Sequence, residues 1–418
     1  MSRHSAPIDA VVVVEDWAHR PYGHFPNRFA ELADGLADLG VHVEVLTSRG
    51  WLHSNTRAHR WTVHSYGRVS EALARAAFWI EFRADRKSRA PGPVIIALVS
   101  LLRTAAAWHE ARRVAQRIVQ TGAAQRCGIV LLNMRSTPSV LARGSRAVPW
   151  IVHQFAVNSP LAFVDRVRLP SPARRTSVRS ACALAVPSPE WVPPLQRRLP
   201  SVTVAPVRLA GVRPVRATSG DSRAALGLHP EASVALLFGT HIADHDPLTV
   251  VRALAMLGDW QLLVVGSVNQ MIDSAMADDD PLLRRAIRLR GTVSEETRDH
   301  ALRSVDLSVL SFAAGYSLNS GTLMDAISYG KPIVVSTPSA AAEVVVRYRI
   351  GETFLAGDAA DLCRAIRAVD HGSIGSSMAG AQEALNNRRI ATAHLELLHD
   401  LARGDGRLLA ERSSTVRP

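Results

Sequence analysis

The sequence predicts an α/β protein built from two open, mainly parallel sheets, and three observations support this fold class. Short runs rich in Val, Leu and Ala recur along the 418 residues. They alternate with segments whose apolar residues repeat at helical spacing, which is typical of βαβ units. The alternation pauses at a segment rich in Pro, Arg and Gly, 206–220, and then restarts. We therefore expect two Rossmann-like domains, with a cleft between the carboxyl ends of their strands.

The first half opens as a βαβ unit. Residues 9–15 form a Val-rich run typical of a strand buried on both faces. Residues 27–39 carry Phe and Leu at helical spacing up to Gly40, and residues 41–46 are the next strand. Residues 66–125 are predicted to be mainly helical. The remaining strands of this half are predicted over 128–132, 148–153, 181–186 and 202–206.

The second half repeats the pattern. Its strands are predicted over 233–238, 261–265, 286–291, 307–310 and 332–335. Its helices are predicted over 247–257, 294–304, 321–329 and 359–369. Residues 391–403 are amphipathic and predict a last helix, before a polar, frayed tail at 404–418.

The charge of the chain narrows the classes of partner. The formal net charge of +12 favours anionic partners such as nucleotide phosphates and acidic lipid head groups. The arginines are scattered, and no finger, zipper or RNA-binding signature accompanies them, so we expect no nucleic-acid function. Residues 78–108 mix Arg with Trp, Phe, Ile and Leu. This segment is either an ordinary packed helix pair or a peripheral contact with an anionic membrane.

Cysteines and apolar runs indicate the compartment. The three cysteines, Cys127, Cys182 and Cys363, are too widely spaced for a disulfide framework or a zinc site. Each lies in or beside an apolar segment, so we expect reduced core residues and a cytoplasmic protein, at most peripheral to the inner face of a membrane. The apolar run 93–102 is far shorter than the ~20 residues that cross a bilayer.

Polar residues crowd the start of the helix predicted at 321–329. They are Ser317, Asn319, Ser320 and Thr322. A helix start offers unpaired N–H groups and a positive dipole end, so the amides of Gly321, Thr322 and Leu323 could hold a diphosphate. Asp325, one turn further, could accept hydrogen bonds from ribose hydroxyls. The alternative interpretation is that Ser and Asn only cap the helix.

Motifs of the second half, taken in order, resemble one enzyme family. They are RAALGLHPEASVALLFG, WQLLVVGS, LRGTVSEETRDHALRSVDLSVLSF and MDAISYGKPIVV. In order and spacing, residues 223–369 resemble the donor-binding domain of the family-4 glycosyltransferases, the glycosyl transferases of group 1. The first half resembles the family more loosely, through YGHFPNRFAELADGLADLGVHVEVLTS, VPWIVH and LAVPSPEW. The family has the GT-B fold, in which two Rossmann-like domains face each other across a cleft.

The resemblance implies a domain layout and an activity. Residues 1–206 would bind the acceptor and 207–385 the nucleotide-sugar, while 386–403 would be a helix crossing back to the first domain, ahead of a flexible tail, 404–418. The implied reaction is a retaining, hexosyl-type transfer from a nucleotide-sugar to an acceptor, which could be lipid-linked. Cell-envelope polysaccharide, glycolipid or secondary-metabolite biosynthesis is the implied setting. No metal and no cofactor beyond the nucleotide-sugar co-substrate are implied.

The donor loop departs from the family pattern. The family carries two glutamates separated by seven residues, and the matching positions here are Ser317 and Asp325. Asp325 can keep the ribose contact with a shorter reach, whereas Ser317 lacks the carboxylate that usually contacts the donor sugar. Loops with Asn-Ser-Gly at this point resemble those of a subset of bacterial envelope-polysaccharide transferases.

The loop after Gly239 is the second departure. The family places an Arg and a Lys against the diphosphate there, and this chain carries an isoleucine and His245 instead. Gly239, Thr240, His245 and Gly266 complete the expected donor-binding set. His241 and His245 could supply positive charge if protonated. Their spacing also permits a metal pair, but no third ligand is evident, and a plain structural loop is a further interpretation.

Two histidines of the first half are the expected catalytic residues. His153 follows the strand VPWIV, where the family often has a functional histidine near the reacting carbon. The alternative is a strand-end histidine bonded to a backbone carbonyl. His24 lies in the loop after the first strand, where such domains present residues to ligands. His24 or Asn27 could touch the phosphate or the acceptor, although Asn27 could instead cap the helix.

Two other functions compete with sugar transfer. The missing Glu, Arg and Lys are compatible with a catalytically impaired GT-B-like protein that binds a nucleotide or a partner without turnover. A sugar-nucleotide 2-epimerase is the third possibility. That chemistry needs carboxylates near the sugar, and Ser317 argues against it.

Overall fold

The protein divides into two compact units, seen in a computed structural model. Unit 1 comprises Met1–Gly211 and Asn387–Pro418, and unit 2 comprises Val212–Asn386. The structure describes residues 7–15, 25–47, 60–73, 75–76, 93–134, 148–154, 182–187, 189–198, 202–208, 211–212, 215, 221–239, 245–275, 281–316 and 320–403.

Unit 1 is a parallel sheet with helices on both faces. The seven strands run in the order β3-β2-β1-β4-β5-β6-β7. The strands are β1 (Ala10–Glu15), β2 (His42–Thr47), β3 (Thr62–Ser65), β4 (Cys127–Met134), β5 (Trp150–Gln154), β6 (Cys182–Val186) and β7 (Thr203–Pro206). The helices are α1 (Phe25–Asp38), α2 (Pro93–Gln120), α3 (Val192–Arg198) and, at the end of the chain, α13 (Asn387–Arg403).

The Val-rich run of β1 explains why this sheet is covered on both sides. Val11 and Val13 pack into a core with α1 and α13, whereas Val12 and Val14 pack into a second core with α2. Successive strand residues point to opposite faces, so an uninterrupted apolar run suits only a central strand. Both β1 neighbours, β2 and β4, are parallel to it.

Helix α2 packs against the sheet over residues 106–120. Its apolar face there comprises Ala107, Ala111, Val114, Ala115 and Ile118. Trp108 lies against Trp150 of β5, with ring centroids 5.9 Å apart. At residues 106–108, the end of the Arg- and Trp-rich region, the helix is packed on the sheet, and for the rest of that region the packed and membrane-contact interpretations both stay predictions. Residues 78–92 lie outside the described residues. No helix in the described part of the chain is long and apolar enough to cross a membrane.

Unit 2 repeats the architecture with six parallel strands, in the order β10-β9-β8-β11-β12-β13. The strands are β8 (Ser233–Phe238), β9 (Trp260–Gly266), β10 (Ile287–Arg290), β11 (Leu307–Leu310), β12 (Ile333–Thr337) and β13 (Gly351–Leu355). The helices are α4 (Ser222–Ala225), α5 (Pro247–Leu257), α6 (Asn269–Ala275), α7 (Pro281–Arg285), α8 (Glu295–Ser304), α9 (Gly321–Ser328), α10 (Ala340–Tyr348), α11 (Ala359–Ala368) and α12 (His371–Ala384).

The predicted α/β class with two parallel sheets is confirmed. The helix and strand patterns singled out in the sequence correspond to described elements, with ends that differ by a few residues. The helix predicted over 391–403 begins earlier, at Asn387, and within the helical region predicted over 66–125 the bounds of α2 are Pro93–Gln120. Two edge strands, β3 and β13, were not predicted, because TVHS and GETFL mix small, polar and apolar residues over only four or five positions.

Helix α13 is held to unit 1 by a close approach between helices. A side chain at Gly35 of α1 would place its Cβ 2.6 Å from the carbonyl oxygen of Asn387 and 3.0 Å from the Cβ of Ala391. Arg388 Nη1 donates to the carbonyl of Asp38 at 3.2 Å, and Arg126 Nη2 donates to the carbonyl of Ala402 at 2.9 Å. Gly35 thus sets the distance between the two helix backbones.

Replacing Gly35 by Ala tests this contact. We expect Gly35→Ala to lower the free energy of unfolding by about 1–3 kcal/mol, because the new methyl group meets backbone that cannot move aside. The matched control is Gly375→Ala in α12, where a Cβ meets nothing within 4 Å. That change should be neutral or stabilise by up to about 1 kcal/mol through helix propensity. Urea unfolding measures both, and equal effects would contradict the account.

Candidate functional site

The carboxyl ends of β8, β9 and β11 and the start of α9 come together in unit 2. From β8 the chain proceeds to β9 and β10 on one side of the sheet, and from β11 to β12 and β13 on the other. β8 and β11 are therefore neighbours at the point where the strand order reverses. In open parallel sheets, ligands bind outside the carboxyl ends of the strands at this point.

Two glycines bring the ends of β8 and β9 into backbone contact. The N–H of Gly239 donates to the carbonyl of Val265 at 3.0 Å, and the N–H of Val268 donates to the carbonyl of Gly239 at 3.2 Å. Gly266 has a φ of +105°, and a Cβ there would lie 2.3 Å from the Gly239 oxygen. Only glycine fits this position without displacing the neighbouring turn. The packing alone accounts for both glycines, and their donor-binding role stays a prediction.

The rings of His245, Phe312 and Tyr316 pack together, and His245 lies next to Gly239. A Cβ at Gly239 would lie 2.7 Å from Cε1 of His245, so the imidazole rests directly on that turn. The His245 ring centroid lies 5.3 Å from that of Phe312, and the Phe312 ring stacks on Tyr316 at 3.9 Å with an interplanar angle of 8°. His245 also lines an open cavity of about 320 Å³ with residues of α5 and α6. Phe312 and Tyr316 were not predicted from the sequence, because only tertiary packing brings them to His245.

The start of α9 is buried, as is every residue of that helix. Ser320 is the N-cap, and its hydroxyl accepts a hydrogen bond from the N–H of Leu323 at 3.2 Å. The Leu323 amide is therefore used for capping, as the alternative interpretation of the sequence has it. Thr322 Oγ1 donates to the carbonyl of Phe238 at 3.3 Å and ties α9 to the end of β8. Among the described residues, none accepts a hydrogen bond from the N–H of Gly321 or Thr322.

Asp325 lies one turn into α9 and is 1% exposed. Its Oδ1 is 2.5 Å from Nη2 of Arg298, a residue of α8 that the sequence analysis did not single out. The carboxylate is thus part of a nearly buried ion pair as well as a neighbour of the helix start. Its contact with ribose stays a prediction.

The structure groups most of the expected donor-binding residues in unit 2. The grouped residues are Gly239, His245, Gly266, Ser320, Gly321, Thr322, Leu323 and Asp325. Thr240, His241, Ser317, Asn319 and His24 lie outside the described residues. Asn27 lies inside α1, which begins at Phe25, and its side chain is outside the described part of the chain. Within the described part of the chain, no three His, Cys, Asp or Glu residues could hold a metal ion.

His153 lies in the core of unit 1. Its side chain is 2% exposed, and its Nε2 is 2.5 Å from Nε2 of His394 in α13. Nδ1 of His394 donates to the carbonyl of Ile390 at 2.7 Å. The partner of His153 is therefore a second imidazole and not the backbone carbonyl of the alternative interpretation. Nε2 of His153 thus faces α13, and a catalytic role for this residue stays a prediction.

Burial keeps both rings of this pair neutral. The pKa of His153 is held well below its ordinary value, first by burial and then by the neighbouring His394. Burial lowers the pKa of His394 to about 4, against the opposing effect of its bond to Ile390. Two neutral imidazoles can share one proton between their Nε2 atoms, whereas two imidazolium ions would repel each other.

One protein-family model matches the part of the chain that contains most of this site. Residues 243–369 match the family model described as Glycosyl transferases group 1. Comparison with curated protein sequences gives no match. The resemblance predicted from the motifs is therefore confirmed over this part of the chain, which contains His245 and the start of α9.

Solved structures match over nearly the whole length of the chain. WaaG, a glycosyltransferase involved in lipopolysaccharide biosynthesis, has a TM-score of 0.53 at 12% identity, covering 96% of this chain and 99% of that one. The N-terminal domain of Candida albicans trehalose-6-phosphate phosphatase has a TM-score of 0.61 at 11% identity, covering 93% and 96%. Anabaena HepE in complex with UDP and glucose has a TM-score of 0.52 at 15% identity, covering 97% and 99%. These likenesses establish the fold, which is GT-B.

The His153–His394 pair predicts how stability depends on pH. Unfolded histidines bind protons below about pH 6.5, and the folded pair resists protonation because its pKa values are lowered. The contribution of the pair to the free energy of unfolding should therefore be complete above pH 6.5 and should decrease as the pH falls towards 4. The decrease is up to about 1.4 kcal/mol per pH unit for each histidine.

Replacing His394 by Gln removes one of the two titrations. Urea unfolding between pH 7.5 and 4.5 should show a shallower pH dependence for His394→Gln than for the parent protein, even if the variant is less stable at pH 7.5. The carboxylates that titrate in this range are common to both proteins, so the difference between the two curves isolates the pair. Parallel curves would show that the pair does not act in this way.

Proposed function

We propose that the chain transfers a hexosyl group from a nucleotide-sugar to an acceptor hydroxyl, with the nucleotide bound at the carboxyl edge of the sheet in unit 2. One observation carries the proposal. The start of α9 is buried, and no described residue accepts a hydrogen bond from the backbone N–H of Gly321 or Thr322. The match to group 1 glycosyl transferases covers this helix, which supports the assignment.

The helix start suits a diphosphate for electrostatic reasons. The first N–H groups of a helix point at a ligand, and the dipole favours negative charge at that end. Burial strengthens both effects because less water screens them. Buried N–H groups need acceptors, and phosphate oxygens can supply them. The UDP named in the HepE complex is a ligand of this chemical class.

The proposed reaction breaks the bond between the anomeric carbon and the diphosphate oxygen. The acceptor hydroxyl forms the new bond to that carbon and gives up its proton, while the nucleoside diphosphate leaves with the negative charge. Stabilising that charge and positioning the acceptor would supply most of the rate acceleration. The helix start acts on the leaving group, and His245 could add positive charge in place of the family's Arg and Lys. We propose retention of configuration from the family resemblance alone.

The acceptor and the setting belong to the same proposal. Cell-envelope polysaccharide, glycolipid or secondary-metabolite biosynthesis would use such a transferase, and a lipid-linked acceptor would bring the chain to a membrane surface. The exposed Arg113 and Arg117 of α2 and the net charge of +12 are compatible with anionic head groups. The free thiols of Cys127, Cys182 and Cys363 are buried, which suits a reducing, cytoplasmic compartment.

A second candidate function is nucleotide binding without turnover. The loop after Gly239 lacks the family's two fixed cations, and Ser317 replaces a carboxylate. Asp325 is already engaged by Arg298. Binding of nucleotide-sugars without transfer to any acceptor in a broad panel, and without slow hydrolysis, would favour this candidate over the transferase.

Gly321→Val tests the proposed diphosphate site. The branched side chain would occupy the space through which a phosphate approaches the helix start, so we expect at least a tenfold loss of affinity for nucleoside diphosphates. Isothermal titration with UDP, GDP, ADP and CDP measures the loss, and Gly375→Ala is the control, since Gly375 lies in α12 with open space around it. Unchanged affinity in Gly321→Val would reject the site, provided that the variant unfolds like the parent protein.

A further inference from the structure

The contact between α8 and α9 is built from polar side chains. Arg298 donates from Nη2 to Oδ1 of Asp325 at 2.5 Å, and the two side chains are 13% and 2% exposed. One turn after Asp325, at the C-cap of α9, the hydroxyl of Tyr329 donates to Asp299, the residue that follows Arg298 in α8. The guanidinium of Arg303 lies over the Tyr329 ring, 5.5 Å from its centroid. The pair nearest the start of α9 is thus the one made by Arg298.

Fold stability alone does not explain this pair. Removing two charges from water opposes their attraction, so well-packed apolar residues would hold two helices together at least as well. A pair built for stability would also use the guanidinium fork with two parallel hydrogen bonds. Here Nε of Arg298 is buried and makes no hydrogen bond within the described part of the chain. What the pair does provide is a fixed orientation for the Asp325 carboxylate.

Orientation matters because of the residue type at this position. Aspartate has one methylene fewer than glutamate, so its carboxylate stays close to the backbone of α9 and reaches a ligand there only in a suitable rotamer. Asp325 lies one turn after the amides of Gly321 and Thr322. A ribose next to a diphosphate at those amides would place its hydroxyls within reach of a carboxylate that is held in one rotamer.

We propose that Arg298 is a positioning residue that orients Asp325 to accept hydrogen bonds from the ribose hydroxyls of the nucleotide. The inference rests on the proposed function and deepens it. Arg298 acts through Asp325 and not on the diphosphate. It is therefore expected to affect recognition of the ribose hydroxyls selectively and to leave recognition of the rest of the nucleotide intact.

Nucleotides without ribose hydroxyls isolate this role. The parent protein is titrated with UDP, GDP, ADP and CDP and with the 2′,3′-dideoxy form of each. For the nucleotide that binds best, we expect the hydroxyls to contribute about tenfold in affinity, equivalent to about 1.4 kcal/mol. Arg298→Met removes the charge and keeps the length of the side chain. It should bring the affinity for the full nucleotide down to that for the dideoxy form, with little change in the latter.

Matched variants separate positioning from packing. Arg303→Met removes the guanidinium that lies over the Tyr329 ring, one turn further along the same helix, and it should keep the preference for ribose hydroxyls. Arg298→Lys keeps the charge and should retain part of the preference, and Asp325→Asn should lose it. In a transfer or hydrolysis assay, Arg298→Met should raise the donor KM more than it lowers kcat. These additional variants keep the test available if Arg298→Met folds poorly.

The outcomes distinguish failure of the inference from failure of the proposed function. If Arg298→Met keeps the preference for ribose hydroxyls, or if it loses the same factor for both forms, the inference is overturned while the nucleotide site stands. If the parent protein binds nucleotides without preferring ribose, Asp325 is not the ribose contact and the inference also fails. If it binds none of the nucleotides, the proposed function and the inference fail together.

Discussion

The burial of the α9 start is the constraint on which the account of unit 2 depends. Ser320 satisfies the N–H of Leu323, and Thr322 fastens the helix to the end of β8. The N–H groups of Gly321 and Thr322 remain, in a buried place where the described residues offer them no acceptor. Backbone N–H groups are almost always paired when they are buried, so this helix start is suited to an anion.

The surrounding structure brings the other groups to that helix start. Gly239 and Gly266 let the ends of β8 and β9 touch through their backbones, which fixes the turn on which His245 rests. The stack of Phe312 on Tyr316 supports the imidazole from the β11 side. The ion pair between Arg298 of α8 and Asp325 of α9 places two charged side chains one turn from the helix start.

Local signals predicted part of this arrangement. The cap at Ser320 and the strands on either side of α9 follow from residues adjacent in sequence, and the α/β class follows from the repeated alternation of elements. Partners distant in sequence were not predictable in the same way. His394 is 241 residues from His153, and Arg298 is 27 residues from Asp325. The charge of an arginine does not indicate which carboxylate it meets, and a histidine after a strand can face either solvent or another helix.

Amide hydrogen exchange at the start of α9 tests the central claim most directly. The exchange of peptides covering residues 316–325 is measured with and without a saturating concentration of the best-binding nucleoside diphosphate. We expect the ligand to slow exchange at Gly321 and Thr322, because phosphate oxygens would accept hydrogen bonds from both backbone N–H groups. Saturation of the protein by the nucleotide with unchanged exchange at these two amides would contradict it.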